Sequence, residues 1–234
     1  MPIRAEEHIK GGGKVRNLIL GMNDGLISTF TLLVGVAVAT IESTGSSLIV
    51  ILTGIAALVS GAVSMGLGDY VSSKSEYIYI KNELKKEMAE IEIFPEEEKR
   101  EVKQIFEKMG FKGEQLDNCV ETVTSNKEVW INFLTKSELG MEEPENPTFG
   151  AIITFFSFVA GSFITLFPYF FNIGMICLII SSIISFSMLF IVGMLKTKIT
   201  GEKPLISGLH MIIVGTIAFI VSYVVGFALG VGLA

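Results

Sequence analysis

The stretch at residues 61–101, GAVSMGLGDYVSSKSEYIYIKNELKKEMAEIEIFPEEEKRE, decides how this chain is organised. Its beginning is apolar and rich in small residues, as in a membrane-spanning helix, whereas the remainder is strongly charged. No proline or compact turn separates the two parts before Pro95. Proline is tolerated in the first turn of a helix but not inside one. The stretch therefore predicts one long helix that leaves a membrane and ends near Ile93, followed by a second helix that begins at Pro95.

Apolar residues make up 50% of the 234 residues, and the mean hydropathy is +0.59, too high for an ordinary soluble domain. They are concentrated in five blocks, and a helix needs about 20 such residues to cross a membrane. We therefore expect an all-α membrane protein with five transmembrane helices and a cytosolic helical metal-binding insert between helices two and three. The expected spans are residues 17–40, 48–71, 148–167, 173–195 and 205–233.

These spans predict four segments. They are a cytosolic N-terminal arm (1–16), transmembrane helices one and two (17–71), an acidic cytosolic metal-binding domain (72–147) and transmembrane helices three to five (148–234). All 18 Lys and Arg residues lie in the arm, in the insert or in the link at residues 196–204. Because basic loops stay in the cytosol, these three segments are expected there. The short chain favours a prokaryotic plasma membrane, with a vacuolar membrane as the alternative.

The insert is expected to be acidic and helical. Residues 72–149 contain 18 Asp and Glu against 11 Lys and Arg, a net charge of −7 that repels nucleic acid and attracts cations. Its second helix is expected to end at Gly110, and a third helical region at residues 113–139 is expected to break near Ser125. Helical spacing predicts the following core residues: Val102, Ile105, Phe106, Met109, Val120, Val129, Trp130, Phe133 and Leu134.

Two pairs of glutamates flank the predicted helix break. Glu87 and Glu90 are three residues apart, as are Glu98 and Glu101, so each pair projects from one helical face. Hard divalent cations prefer carboxylate oxygens of this kind. A solvated charged face is the alternative interpretation. The sequence has no Walker motif, so we expect no ATP-driven pumping.

Asp24 is the residue that most strongly indicates function. It lies roughly 12 Å inside the first predicted span at 1.5 Å per residue. Placing an ionisable side chain there costs roughly 3 kcal/mol of insertion free energy. We therefore expect Asp24 to face the protein interior and to have a functional role. Met65, roughly 9 Å from the cytosolic end of the second span, is expected at similar depth. A carboxylate beside a thioether suits a transition metal, although Met65 alone would more often be core or lipid-facing. Asp69, one turn away, is either a further ligand or an interfacial charge.

Four sequence motifs resemble the vacuolar iron transporter family, in the family's order. They are GMNDGLIST at 21–29, SGAVSMGLGDYVSSKSE at 60–76, ELG at 138–140 and NPTFGAIITFFSF at 146–158. The resemblance implies a proton-coupled transporter, not an enzyme, that moves ferrous iron out of the cytosol into a store or out of the cell. Manganese and zinc are further candidate substrates. It implies no cofactor, since the divalent metal is the transported and bound ion. The implied partners are metal ions, protons, membrane lipids and a second copy of the chain, with no nucleic acid.

The resemblance also implies roles for individual residues. The family's intramembrane ligands match Asp24 and Met65, at a dimer interface lined by the first two spans. Its metal-binding glutamates match Glu87, Glu90, Glu98, Glu101 and Glu138. Leu134 and Thr135 occupy positions where the family often has a pair of methionines, and Asp69 replaces a glutamate. We also expect small residues of the first span to approach a second subunit at the two-fold axis, namely Gly21, Gly25 and Gly35.

Two other classes of function remain open from the residues. A membrane-anchored di-iron redox protein would use helical carboxylates, but such sites pair Glu with His, and residues 72–147 contain no His. A metal-responsive sensor without transport would use the acidic insert but would not need a carboxylate inside the first span.

Overall fold

The computed structural model describes residues 12–137 and 146–233, and within these ranges every regular element is a helix. Five of the helices (α1, α2, α6, α7 and α8) are long and apolar enough to cross a membrane, as the sequence predicted. Part of the predicted N-terminal arm, residues 1–11, lies outside the described residues. The helices are α1 (Gly12–Thr44), α2 (Leu48–Ile93), α3 (Pro95–Lys108), α4 (Glu114–Thr124), α5 (Lys127–Ser137), α6 (Pro147–Leu166), α7 (Ile176–Thr200) and α8 (Pro204–Leu233), with a 3₁₀ turn at Phe167–Phe171.

Helix α2 confirms the prediction of one long helix. It is 46 residues long, so at about 1.5 Å per residue it measures about 69 Å, more than twice the roughly 30 Å thickness of the hydrocarbon core. It ends at Ile93, and α3 begins with Pro95 in its first turn. Proline can occupy this position because the first amide groups of a helix have no partner within the helix.

Helix α7 extends further than predicted. The sequence predicted an end at Leu195 and a polar link after it, whereas the helix continues to Thr200. Gly201 ends it in the left-handed conformation (φ 69°), and its amide donates to the carbonyl of Thr197. Glycine adopts this conformation without the steric penalty of a side chain, so the helix ends at Gly201 rather than at the first charged residues.

The chain divides into two compact units, after Tyr70 and again after Pro147. The first unit contains α1, the first part of α2, and α6 to α8. Its main core joins residues of α1, α2 and the segment that leads from α6 into α7. Its fully buried members include Phe30, Leu33, Val34, Val50, Leu166, Tyr169 and Cys177.

Helix α1 is packed against α6 and α8 by glycines. A Cβ atom at Gly25 would lie 2.3 Å from the carbonyl oxygen of Phe158, and one at Gly21 would lie 2.6 Å from that of Thr154. A Cβ atom at Gly35 would lie 2.9 Å from Oγ of Ser222 on α8. The expectation that these three glycines face a second subunit is therefore wrong. Small residues permit close approach of helices within a chain as well as between chains, and the sequence alone does not distinguish the two.

We expect Gly25→Ala to lower the free energy of unfolding by about 1–3 kcal/mol, because the added methyl group must displace backbone rather than a flexible side chain. The matched control is Ser187→Ala on α7, whose exposed hydroxyl bonds to the carbonyl of Ile183 on its own helix. That change should alter stability by no more than about 1 kcal/mol. Thermal unfolding of the two variants in detergent measures the difference, and equal melting temperatures would contradict the close α1–α6 packing.

The second unit has its own small core. Its buried residues are Ile91, Val102, Trp130 and Leu134, and the rings of Phe106 and Phe133 stack beside them with centroids 4.8 Å apart. The predicted helix break at Ser125 is confirmed, since α4 ends at Thr124 and α5 begins at Lys127.

Two residues predicted for this core are exposed instead. Met109 is 58% exposed because it follows the last residue of α3 rather than lying on its packed face. Val129 is 46% exposed because the next residue of the first turn of α5, Trp130, occupies the inward position. The buried face of each helix is therefore narrower than helical spacing alone suggested.

Candidate functional site

Asp24 lies on an exposed stripe of α1. The stripe repeats every four residues and consists of Leu20, Asp24, Ser28 and Leu32, all exposed within the single chain. Gly21 and Gly25 turn the opposite side of the helix toward α6. The chain's own helices therefore leave the Asp24 carboxylate uncovered, and the expectation that it faces the protein interior stays a prediction.

Met65 and Asp69 lie one turn apart on α2, and both are half-buried. Other residues of α2 face inward at glycines, where Gly61 lies against the ring of Phe158 and Gly66 against the side chain of Phe155. The Asp69 carboxylate accepts two hydrogen bonds from the first unit, one from Nδ2 of Asn17 and one from Oγ1 of Thr154, both 3.1 Å long. Asp69 is thus held by α1 and α6, which the sequence did not indicate.

The acidic unit brings three of its predicted ligands into electrostatic contact. Glu87 is only 5% exposed, and within the described ranges its Oε2 atom has no hydrogen-bond donor. Burial raises the pKa of the Glu87 carboxyl above its ordinary value of 4.5, and the negative charges of Glu90 and Glu101 raise that pKa further. A cation in this place would offset both the burial and the like-charge repulsion.

The other two predicted ligands of the acidic unit are Glu98 and Glu138. Glu98, in the first turn of α3, is 6% exposed, so α3 directs it inward while its neighbours Glu96 and Glu97 face solvent. Glu138 lies outside the described residues. Across residues 12–137 and 146–233, no three His, Cys, Asp or Glu side chains lie close enough together to hold a metal ion. The ligand set of the acidic unit therefore remains a prediction.

Leu134 and Thr135 occupy buried positions of α5. Leu134 is fully buried in the core of the second unit beside Ile91 and Val102, and Thr135 donates its hydroxyl to the carbonyl of Ile131 on its own helix. Leu134 therefore contributes packing. Neither side chain carries the soft sulfur atom that the family's methionines would supply at these two positions.

A second exposed stripe, which the sequence analysis missed, runs along α2. It consists of small residues spaced by four, namely Ala56, Ser60, Ser64 and Gly68, and all four are exposed. The regular spacing of small residues was the available signal, because it marks one face of a helix that another helix can approach closely. Glycines in the same span that lie off this spacing, Gly54, Gly61 and Gly66, pack within the chain instead.

Known proteins resemble this chain over nearly its whole length. The model of the VIT family matches residues 15–227. The chain is 36% identical over 216 residues to vacuolar iron transporter 1 of Arabidopsis thaliana, and this alignment covers 91% of the chain and 85% of the Arabidopsis protein. It is 36% identical over 217 residues to a vacuolar iron transporter of Centaurea cyanus, with 91% and 86% covered. It is 32% identical over 239 residues to a vacuolar iron transporter of Plasmodium falciparum, with 96% and 85% covered.

The family match covers the acidic unit and all or most of each of the five candidate membrane helices. A family match over most of a chain, together with relatives that align along most of their own length, establishes membership. The chain belongs to the VIT family.

Proposed function

We propose that this protein carries ferrous iron across a membrane, out of the cytosol, in exchange for protons. The observation that carries the proposal is the alignment of more than nine-tenths of the chain with proteins named vacuolar iron transporters. Five candidate membrane helices and a carboxylate inside the first of them support it. Manganese and zinc are further candidate substrates, because oxygen ligands discriminate weakly among these divalent ions.

Asp24 and Met65 are the proposed ligands within the membrane. The carboxylate binds either a proton or the metal, since a bound cation stabilises its charged form and lowers its proton affinity. Protons that arrive from the acidic side therefore displace the metal, and the neutral cytosol releases them again. The thioether of Met65 is a soft ligand and favours iron over calcium and magnesium.

The acidic unit is proposed to collect metal before transport. Its support is Glu87, a buried carboxylate that lies beside two further negative charges and whose raised pKa reflects both effects. Hard divalent cations bind to oxygen ligands in such places, and their binding is coupled to release of protons.

We propose that the acidic unit and the N-terminal arm lie in the cytosol, because they contain 15 of the 18 basic residues. The relatives are named vacuolar transporters, which favours an internal storage membrane. The prokaryotic plasma membrane that the sequence suggested receives no support from these relatives.

The exposure of Asp24 within the single chain supports a homodimer. A charged side chain at the centre of a span costs about 2.5–3.5 kcal/mol on insertion scales, so an uncovered carboxylate on α1 calls for a covering surface. A second copy of the chain supplies one without any further partner. The exposed small-residue stripe of α2 offers a face that another helix can approach closely.

We expect Ser60→Leu and Ser64→Leu to convert the dimer to a monomer, because a branched side chain prevents close helix approach on the small-residue stripe. Val59→Leu, at an exposed apolar position beside the stripe, is the matched control and should leave the dimer intact. Mass measurement in detergent and in lipid nanodiscs gives the oligomeric state. A parental protein that is monomeric in nanodiscs yet transports metal would overturn the dimer.

Flux measured in proteoliposomes tests the proposed function. The vesicles contain a pH dye and a metal-sensitive dye, and iron, manganese and zinc are offered separately under a fixed pH gradient. We expect iron to enter as protons leave, with no flux in vesicles without protein. Metal binding without any metal flux under either direction of the pH gradient would favour a sensor and would contradict the proposed transport.

A further inference from the structure

Asp69 is the centre of a polar cluster that joins three helices of the membrane unit. Its Oδ2 atom accepts one hydrogen bond from Nδ2 of Asn17 on α1 and another from Oγ1 of Thr154 on α6. Thr154 is 1% exposed, so its hydroxyl has no access to bulk water. Asp69 itself lies on α2, four residues after Met65. We call these three residues the clamp.

Gly150 gives the clamp its space. A Cβ atom at this position would lie 2.7 Å from Nδ2 of Asn17 and 3.4 Å from Oδ2 of Asp69. Any larger residue would therefore push the Asn17 amide away from the carboxylate. The absence of a side chain at Gly150, one turn before Thr154 on α6, is what allows the amide and the hydroxyl to reach the same oxygen atom.

The hydrogen bonds restrict what the Asp69 carboxylate can do. Each carboxylate oxygen has about two acceptor sites, and the two donors of the clamp occupy both sites of Oδ2. Bidentate metal binding is thus excluded while the clamp is intact. Hydrogen bonds to a charged acceptor are stronger than neutral ones, so they hold α2 at a defined rotation against α1 and α6. Residues four apart share one helical face, so that rotation also sets where Met65 points.

We propose that Asn17 and Thr154 hold Asp69 as a three-helix clamp, which makes Asp69 a positioning residue for Met65 and not a metal ligand. The clamp rests on the proposed function only in taking Met65 as a ligand of the transported metal. It reassigns Asp69, which the sequence had placed among the candidate ligands.

The first test breaks the clamp without removing a polar group. Gly150→Ala displaces only the end of a flexible side chain, so the protein should still fold. A thioether favours iron over the harder manganese ion. We therefore expect the ratio of iron flux to manganese flux to fall at least about threefold, the factor that corresponds to an average hydrogen bond between membrane helices. Thr154→Val, which removes the hydroxyl, should lower the ratio likewise. Thr154→Ser, which keeps a hydroxyl, should leave the ratio at its parental value. The matched control is Thr216→Val, which removes a hydroxyl that bonds only within α8.

The second test separates the clamp from a general loss of stability. In a Met65→Leu background, Gly150→Ala should change the flux ratio no further, because the ligand that the clamp positions is already absent. A merely structural role would instead lower both fluxes equally in either background. If Met65→Leu lowers the ratio and Gly150→Ala does not, the clamp is wrong and the proposed function stands. If Met65→Leu leaves the ratio unchanged, the role of Met65 fails, and the clamp fails with it.

Asp69→Asn distinguishes a positioning residue from a ligand. The amide keeps a carbonyl oxygen that accepts both hydrogen bonds but loses the negative charge. A neutral acceptor holds the two donors less tightly, so we expect the flux ratio to fall about as far as in Gly150→Ala, while the KM for iron rises less than about threefold. A rise in KM of about tenfold or more, the cost typical of residues that support a metal site, would make Asp69 a ligand and overturn the proposal.

A readout without transport keeps the test decisive. With Cys119 and Cys177 replaced by serine, the alkylation rate of a Met65→Cys variant measures how accessible the side chain at position 65 is. Gly150→Ala should change this rate at least about threefold, whereas Thr216→Val should not. Equal rates would overturn the clamp even in a protein that moves no metal.

Discussion

Replacement of Asp24 by asparagine is expected to abolish the exchange of iron for protons. The amide keeps the size and polarity of the side chain but binds neither a proton nor a cation as a carboxylate does. Asp24 is a carboxylate of α1 that lies inside a candidate span and is exposed within the single chain. We expect the rate to fall at least about 100-fold, the upper end of what loss of a supporting residue costs at a metal site.

The measurement is the proteoliposome assay with both dyes, since it follows metal and protons separately. The matched control is Glu202→Gln, which makes the same chemical change at an exposed carboxylate outside the spans. Exchange at the parental rate in Asp24→Asn would place the pathway elsewhere. Metal flux without proton flux would identify Asp24 as the coupling group and remove it from the ligands that transport requires.

Glu87→Gln is expected to have two opposite effects on the acidic unit. It removes a buried negative charge that lies beside Glu90 and Glu101, so the unit without metal should become more stable at neutral pH. It also removes a proposed ligand, so metal affinity should fall by about 10- to 100-fold. A variant that gains stability and loses binding is typical of a site whose charge is retained for function.

The pH dependence of stability follows from the raised pKa of Glu87. The folded protein holds this proton more tightly than the unfolded chain, so the group destabilises the fold least at low pH. Stability should therefore fall as the pH rises from about 4.5, the ordinary value, through the raised pKa of the folded state. Glu87→Gln should remove this decline, and added divalent metal should reverse it in the parental protein.

Thermal unfolding of the full chain in detergent between pH 4 and pH 8, with and without metal, tests both effects. The matched control is Glu121→Gln, an exposed carboxylate of α4 in the same unit. If Glu87→Gln and Glu121→Gln show the same pH profile and the same metal affinity as the parental protein, Glu87 has no part in metal binding.

Local features were sufficient to predict most of the helices. Pro95 marked the end of α2 because proline removes an amide donor and fixes its own backbone angle, whatever lies nearby in space. The five spans followed from runs of apolar residues, whose length the membrane dictates. Helix α7 was predicted to end at Leu195, before the first charged residue, but charged residues do not end a helix. It ends at Thr200 because Gly201 adopts the left-handed conformation.

By itself, then, the sequence determined most of the helices, the acidic unit and the family of this protein, because composition, periodicity and proline act over a few residues. Tertiary structure alone decided which neighbour each small or polar residue meets. Gly25 packs against α6 and Ser60 faces outward, although both are small residues within a span. Asp69 finds its hydrogen-bond donors 52 and 85 residues away in the chain. Such partners depend on the relative rotation of packed helices, and spacing within one helix carries no record of that rotation.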